Sequence, residues 1–525
     1  MIRTIPAFFE AAVEACPSKE WLYYEDSTYT YEEAYDRVTT LAAGLHERGV
    51  GRDTILLATT PNSPEYVFLW LAAMRLGAVL VPVNPASTPA ELSGIAGQTQ
   101  PQLVVTDEDL LGVVKRCMAG VATPPEIALV ETLFEPSAPG PLPPVQVRPE
   151  EPAVMIPTSG TTGRSKLVVQ THRAYVMAGE GFPFWLGLTS EERMMTSLPL
   201  FHINAPAYSV LGSMAARASL ILLPRFSGSR FIESARRYGA TQFNAIGAML
   251  EILMRQPERP DDARNPLRLC YTGPSPTKER QLEIERRFGL EIVCGYALSE
   301  SPYGLVWRRG TRPFGTLGSV RQHPVLGRVN EARVTDPGRP VGPGEMGELE
   351  LRNPAIMLGY YRMPEETDRV LAGGWLRTGD LVRDNGDGTY TFVARKKEVI
   401  RRRGENVSPT EVEAALEAHS DVMEAAVIGV PSDLSDEEIK AFVVLRSGAP
   451  SELGAVRAFT AERLARFKVP RYLEVVRELP HTSTGRIAKH RLPRERTAAE
   501  EDFEPAAVPT DTVSDHPRQA QRRRT

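Results

Sequence analysis

The sequence predicts an α/β protein. A large N-terminal α/β domain on mostly parallel sheet is followed by a β-rich module and a small α+β C-terminal domain. Three observations carry that expectation. Short apolar runs alternate with helical periods as far as Cys294, hairpin-like strands replace them after Gly347, and the pattern changes again near Lys397. At 525 residues the chain is also too long for a single core.

In chain order, Thr54–Thr59 and Ala78–Val83 read as buried strands with the helix Tyr66–Leu76 between them, and Gln102–Thr106 is the next strand. The Pro-rich Pro136–Pro152 is an exposed connection. It leads into the apolar run Ala153–Ile156. Further strands fall at Ser219–Leu223, Gln242–Ala245, Leu267–Tyr271 and Glu291–Cys294. Glu348–Arg352 and Tyr390–Val393 belong to the β-rich module, with Asp384–Gly388 as a hairpin tip. Beyond Lys397 come a helix opened by Ser408-Pro409 and running through Glu411–Glu417, the strands Glu424–Val430 and Ile439–Leu445, and a helix around 452–465. The divisions are therefore 1–394, 395–497 and a tail, 498–525, that is acidic and then Pro-, Thr- and Arg-rich and reads as disordered.

Charge is nearly balanced, with 61 basic and 66 acidic residues, which argues against nucleic acid or an anionic membrane as the main partner. Nine of the 61 cations are lysines, leaving 52 arginines, a bias that fits a GC-rich genome. The four cysteines share no metal-ligand or disulfide spacing, and no apolar run approaches the ~20 residues that span a bilayer. With no signal-peptide layout at the start, the expectation is a cytoplasmic protein.

The most informative stretch is Thr158-Ser159-Gly160-Thr161-Thr162-Gly163-Arg164-Ser165-Lys166, directly after an apolar strand. Glycines allow close backbone approach, N–H groups and short hydroxyls can wrap phosphate oxygens, and cations offset their charge. It lacks the GK[ST] ending of the Walker loop. Taken alone, such a run is also an ordinary solvated turn.

Further signatures follow in order: LPLFH (198–202), GYALSE (295–300), GWLRTGD (374–380), ARKKEVIRRRGENVSPTEVE (394–413) and LPHTSTGRIAKHRL (479–492). Together with TSGTTGRSK (158–166) they resemble the adenylate-forming superfamily, and within it acyl-CoA ligases of the crotonobetaine/carnitine–CoA ligase type. The resemblance spans about residues 20–495. It implies stacked sheets in the large domain and a mobile C-terminal domain with a hinge near 395–398. It also implies chemistry in two halves: a carboxylate attacks Mg-ATP to give an acyl-adenylate and pyrophosphate, and the CoA thiol then displaces AMP.

Residue roles follow from that resemblance alone. Thr158 to Gly163 and Lys166 would hold the β- and γ-phosphates. Tyr296 would lie on adenine, Ser299 would reach phosphate and Glu300 would bind Mg²⁺. Asp380 would take both ribose hydroxyls with Arg395 beside it, and Lys397 would mark the hinge. His202 would guard the acyl pocket, for which Asn244, Ile246, Gly247, Tyr271, Gly273 and Gly295 are the candidates. The small apolar run at 245–248 suggests a bulky or extended apolar acid. Arg402, Arg403 and Gly404 would lie near CoA. Singly, each has a plainer reading: a capping Ser-x-x-Glu for 297–300, a turn Asp for Asp380, a buried His for His202, a solvated basic turn for 401–403.

Departures from the family pattern matter most. The catalytic Lys that bridges carboxylate and α-phosphate is replaced by Arg486 in Gly485-Arg486, while Lys489 matches a different basic position. A guanidinium is a wide planar fork and an ammonium a compact point charge. Leu167 stands where Gly is usual and is expected to stiffen the phosphate loop, Ser165 replaces Pro, and Arg403 replaces a small residue. These departures lead to an enzyme weak in adenylation and competent in thioesterification. Such an enzyme, in the setting of bacterial secondary metabolism, would receive its acyl-adenylate from a separate adenylating enzyme. The alternatives are a complete ATP-dependent ligase, a protein loading a carrier protein, and an inactive binding protein. The sequence leaves the acid unnamed and the state open between monomer and homodimer.

Overall fold

The computed structural model describes residues 3–135, 145–158, 165–273, 275–308, 310–336, 338–402, 405–432, 437–446, 449, 452–481 and 487–503. The described chain forms two compact units that divide between Lys396 and Lys397.

In the first unit, two large sheets hold mainly parallel strands. A seven-stranded sheet runs from Gly359–Tyr360 through Lys166–Thr171, Pro152–Thr158, Val79–Pro82, Ile55–Thr59 and Leu103–Thr106 to Glu126–Leu129. A nine-stranded sheet runs from Ser319–Val320 through Ser301–Val306, Glu291–Leu298, Leu269–Thr272, Gln242–Asn244, Arg193–Thr196, Ser219–Leu222 and Glu20–Tyr24 to Ser27–Thr30. The β-rich module is a five-stranded antiparallel sheet built on Met346–Arg352, Trp375–Asp384 and Tyr390–Arg395.

The unbroken apolar runs of the parallel strands follow from burial on both faces. Leu56 and Ala58 enter the large core that takes residues of both sheets, while Leu57 points the other way to pack with Val79, Val81 and Val104. Helices begin where sequence signals place them. Ser63 caps Pro64–Arg75 by accepting from the Tyr66 N–H, and Thr88 with Glu91 makes a capping box on Pro89–Thr99.

Leu167 corrects one expectation. It lies inside the strand Lys166–Thr171, opposite Pro157, and is fully buried in the second core with Leu57 and Met155. Its backbone is ordinary strand rather than loop, and the side chain contributes packing.

The second unit packs Pro409–Glu417 and Leu453–Ala461 on a sheet ordered Val422–Val430, Glu438–Leu445, Tyr472–Val475 and Glu500–Asp502. The last strand corrects the expected tail boundary, because ordered structure continues to Phe503. Lys440 explains why. Its side chain is 1% exposed, and Nζ meets Glu500 at 2.7 Å and Glu474 at 3.1 Å. A buried ammonium needs such partners, and an acidic segment of low hydrophobicity supplies one. Ending the chain at residue 497 should therefore destabilise this unit by about 3 kcal/mol, read as a lower urea midpoint for its unfolding. An unchanged midpoint would deny the strand that role. No described helix is long and apolar enough to cross a membrane.

Candidate active site

The candidate acyl residues sit together at the carboxyl ends of neighbouring parallel strands, where open α/β sheets bind ligands. Asn244 pairs in register with Tyr271, Tyr271 with Val293, and Thr272 with Cys294. Gly273 and Gly295 lie against each other: a Cβ on Gly273 would meet the Gly295 carbonyl at 2.5 Å, so the close approach requires glycine. Ile246 precedes the helix Gly247–Met254, and a Cβ on Gly247 would face open space. Asn244 is buried and committed, accepting from Gln242 at 2.7 Å and donating to Asn204 at 2.9 Å. Asn204 opens the π-helical turn Ala205–Val210, a geometry frequent at functional sites. His202 stands two residues earlier, half-buried, its ring 4.5 Å from that of Phe201.

A second group forms around Asp380, whose side chain is 1% exposed. The strand Glu291–Leu298 leaves its parallel neighbour after Cys294 and turns back as a hairpin with Ser301–Val306. This aims Tyr296 at the β-rich module, where its hydroxyl donates to Asp380 Oδ2 at 2.5 Å. Burial, then the Asp380 carboxylate, pushes the Tyr296 phenol far above its ordinary pKa, so it stays a donor. Arg395 lies directly across the sheet from Asp380, with Nε 2.7 Å from Oδ1. Gly379, at φ 72°, turns the chain into this position, a conformation that favours glycine.

The third group lies at the tip of the same hairpin, Ser299-Glu300. Tyr360 donates to Glu300 Oε1 at 2.8 Å. The Lys166 ammonium lies 4.8 Å over the Tyr360 ring and pairs with Glu366 at 2.5 Å. Buried Gln170 donates to the Ser299 carbonyl at 2.6 Å, tying the strand that begins at Lys166 to the hairpin tip. Thr158 is opposite Lys166 and donates to its carbonyl at 3.2 Å. Gln170, Tyr360 and Glu366 were missed from sequence; only the run GYYRMPEET next to GWLRTGD could have drawn attention to the latter two. Ser159, Gly160, Thr161, Thr162 and Gly163 lie outside the described residues.

In the second unit, Arg402 corrects the CoA assignment. In the strand Ile400–Arg402 the alternate residues Ile400 and Arg402 face inward and Arg401 outward. The Arg402 guanidinium is buried against Glu438 and donates to the carbonyls of Phe467 and Val469 at 2.8 and 3.0 Å. It braces the domain rather than facing a ligand. Lys397 is exposed at the start of this unit, and Arg403, Gly404 and Arg486 lie outside the described residues. Lys489 is tied to Glu413 at 2.7 Å.

Two mainly parallel sheets, a β-rich module holding a buried carboxylate and a separate small α+β unit define an adenylate-forming enzyme. The chain belongs to the AMP-binding enzyme family: that family's profile matches residues 9–361, and the profile of its C-terminal domain matches 411–486. It is a ligase of the acyl-CoA synthetase kind. It is 30% identical over 486 residues to the crotonobetaine/carnitine–CoA ligase of Salmonella paratyphi A, covering 88% of this chain and 93% of that one. It is also 30% identical over 506 residues to the sulfoacetate–CoA ligase of Cupriavidus necator, covering 93% and 97%. The solved structure of ATP-bound MatB from Rhodopseudomonas palustris superposes with a TM-score of 0.85 at 25% identity, covering 93% and 98%.

Proposed function

We propose that this ligase joins a small-molecule carboxylic acid to CoA through an acyl-adenylate, and that its adenylation half-reaction is weakened by Arg486. The observation that carries the nucleotide reading is the Tyr296–Asp380–Arg395 group. It offers an aromatic ring, a fixed carboxylate for a diol and a neighbouring cation within one hydrogen-bonded unit. Ribose hydroxyls would bind by exchanging for the Tyr296 hydroxyl on Asp380.

The second group of residues suits polyphosphate. Glu300 is a hard oxygen ligand, half-buried, with one oxygen held by Tyr360, and one carboxylate plus phosphates is a common Mg²⁺ environment. Mg²⁺ bound there would neutralise phosphate charge. Lys166 would carry the β- and γ-phosphates, and Ser299 would place its hydroxyl beside them. The boundary at Lys396–Lys397 supports a hinge near 395–398.

Impaired adenylation rests chiefly on Arg486, since Leu167 sits harmlessly in the core. Lys489 does not replace the missing ammonium, because Glu413 holds it. The reading implies an acyl-adenylate supplied by a separate adenylating enzyme.

The test is a split assay over a panel of acids. One arm measures pyrophosphate release from ATP plus acid, the other acyl-CoA formation from premade acyl-adenylate plus CoA. A first arm far slower than the second is expected; comparable rates in both would make this a complete ligase. Lys166→Ala should lower only the ATP arm, by about tenfold or more. An equal loss in both arms would contradict a role confined to the β- and γ-phosphates.

A further inference from the structure

Arg321 follows the edge strand Ser319–Val320 and has no exposed surface. Its Nε donates to the Leu305 carbonyl at 3.0 Å, and Nη1 to the Tyr208 hydroxyl at 2.6 Å and the Pro302 carbonyl at 2.8 Å. Nη2 donates to the Tyr271 hydroxyl. The rings of Trp185 and Tyr208 lie 4.5 and 5.1 Å from the guanidinium carbon. Among the described residues no carboxylate pairs with it; Glu180 lies 3.0 Å from His323.

A buried arginine stays charged, and a charge without a counter-ion in a low-dielectric interior is costly. Burial opposes the charge, while the phenol oxygens of Tyr208 and Tyr271 support it and hold its pKa above the ordinary value. These are dipoles, so the positive field persists.

The charge lies against Gly295, one of the candidate acyl residues. A Cβ on Gly295 would lie 2.5 Å from Tyr271 Oη and 3.0 Å from Arg321 Nη2, which puts the pair directly behind that glycine. Because Tyr271 accepts from Arg321, its own proton is the one it has to give, and the cation strengthens it as a donor. The small apolar run at 245–248 pointed to an apolar acid; Arg321 alters the electrostatics beside it.

We propose that the Arg321–Tyr271 pair selects acids carrying a second anionic group, a dicarboxylate or a sulfo-carboxylate, and excludes acids carrying a quaternary ammonium. Arg321 acts as a positioning residue through Tyr271 and through its field. The two relatives at 30% identity are named for acids on opposite sides of this line, since carnitine is cationic at one end and sulfoacetate is doubly anionic. The proposal rests on reading Tyr271, Gly273 and Gly295 as acyl-pocket residues.

The test uses the full chain and inert acyl-sulfamoyl adenosines, so that it is independent of adenylation. Calorimetry compares the succinyl and glutaryl compounds with the butanoyl and pentanoyl ones and with the γ-(trimethylammonio)butanoyl compound, with AMP as reference. The better dianionic ligand should bind about tenfold tighter than its counterpart with a neutral acyl terminus, and that counterpart about tenfold tighter than the one with a cationic acyl terminus. In Tyr271→Phe the dianionic preference should shrink below about threefold while AMP binds as before. Arg321→Met should do the same and admit the cationic ligand; if that variant does not fold, Tyr271→Phe decides.

Equal binding of neutral and dianionic ligands would overturn the proposal, as would a preference that survives in Tyr271→Phe. A uniform loss that includes AMP would mark the pair as structural. Intact AMP binding with no gain from any acyl group would refute the acyl-pocket reading, and failure to bind AMP would refute the nucleotide reading; either result also removes the proposal.

Discussion

Replacing Arg486 with Lys should raise ATP-dependent pyrophosphate release by on the order of 100-fold, the scale expected when a charged group in a preorganised site moves by about an ångström. The substitution keeps the charge and changes its shape. An ammonium sits between two oxygens at once, whereas a guanidinium presents a planar fork about as wide as a carboxylate. Acyl-CoA formation from premade acyl-adenylate should stay the same, because the carboxylate–phosphate bridge is complete before that step begins. If neither arm responds, Arg486 is a tolerated substitution. A rise in both arms would mean that the residue acts beyond adenylation.

Asp380→Ala should have the opposite breadth, lowering both half-reactions by about 100-fold, roughly the sum of two charge-assisted hydrogen bonds. ATP and acyl-adenylate share a ribose, so on the proposed assignment one carboxylate would serve both. Removing it also strips Arg395 of its 2.7 Å partner and leaves the Tyr296 hydroxyl without its acceptor. Asp380→Asn keeps the shape and isolates the charge; it should lose most of the same activity while melting close to the parent. A loss limited to the ATP arm would break the assignment to ribose.

The parallel strands were legible because burial on both faces demands continuous apolar residues, as in TILLAT and QLVVT. Their ends were not: Glu291–Leu298 runs four residues past the expected Cys294, since its second half changes partner and direction at Gly295. Arg402 misled because strand alternation, set by one residue of register, decides whether an arginine in a basic run faces water or Glu438. Glu500–Asp502 misled because its composition is that of a disordered tail, and its order comes from strand pairing and from ion pairs with the buried Lys440 and with Arg471.

In the candidate site, the motif residues themselves were readable, but their pairings were not. Lys166 meets a partner 200 residues away, and nothing local to TSGTTGRSK points to Glu366. Arg321 lies in no motif. Its isolation from acid groups is a property of three-dimensional packing, which spacing along the chain does not encode.

The Lys166–Glu366 pair has a consequence for how a polyphosphate would arrive. The ammonium is already neutralised by an internal carboxylate, itself shared with Arg369. A phosphate binding there would take part in an anion exchange, evicting Glu366 rather than ions from solution. Affinity for ATP should then depend on added salt less steeply than the count of cations around the triphosphate implies. On that reading Glu366 would set a threshold for weakly charged competitors: a single inorganic phosphate would offer little more than the carboxylate it must displace, whereas a magnesium-bound triphosphate would bring several contacts to the same exchange.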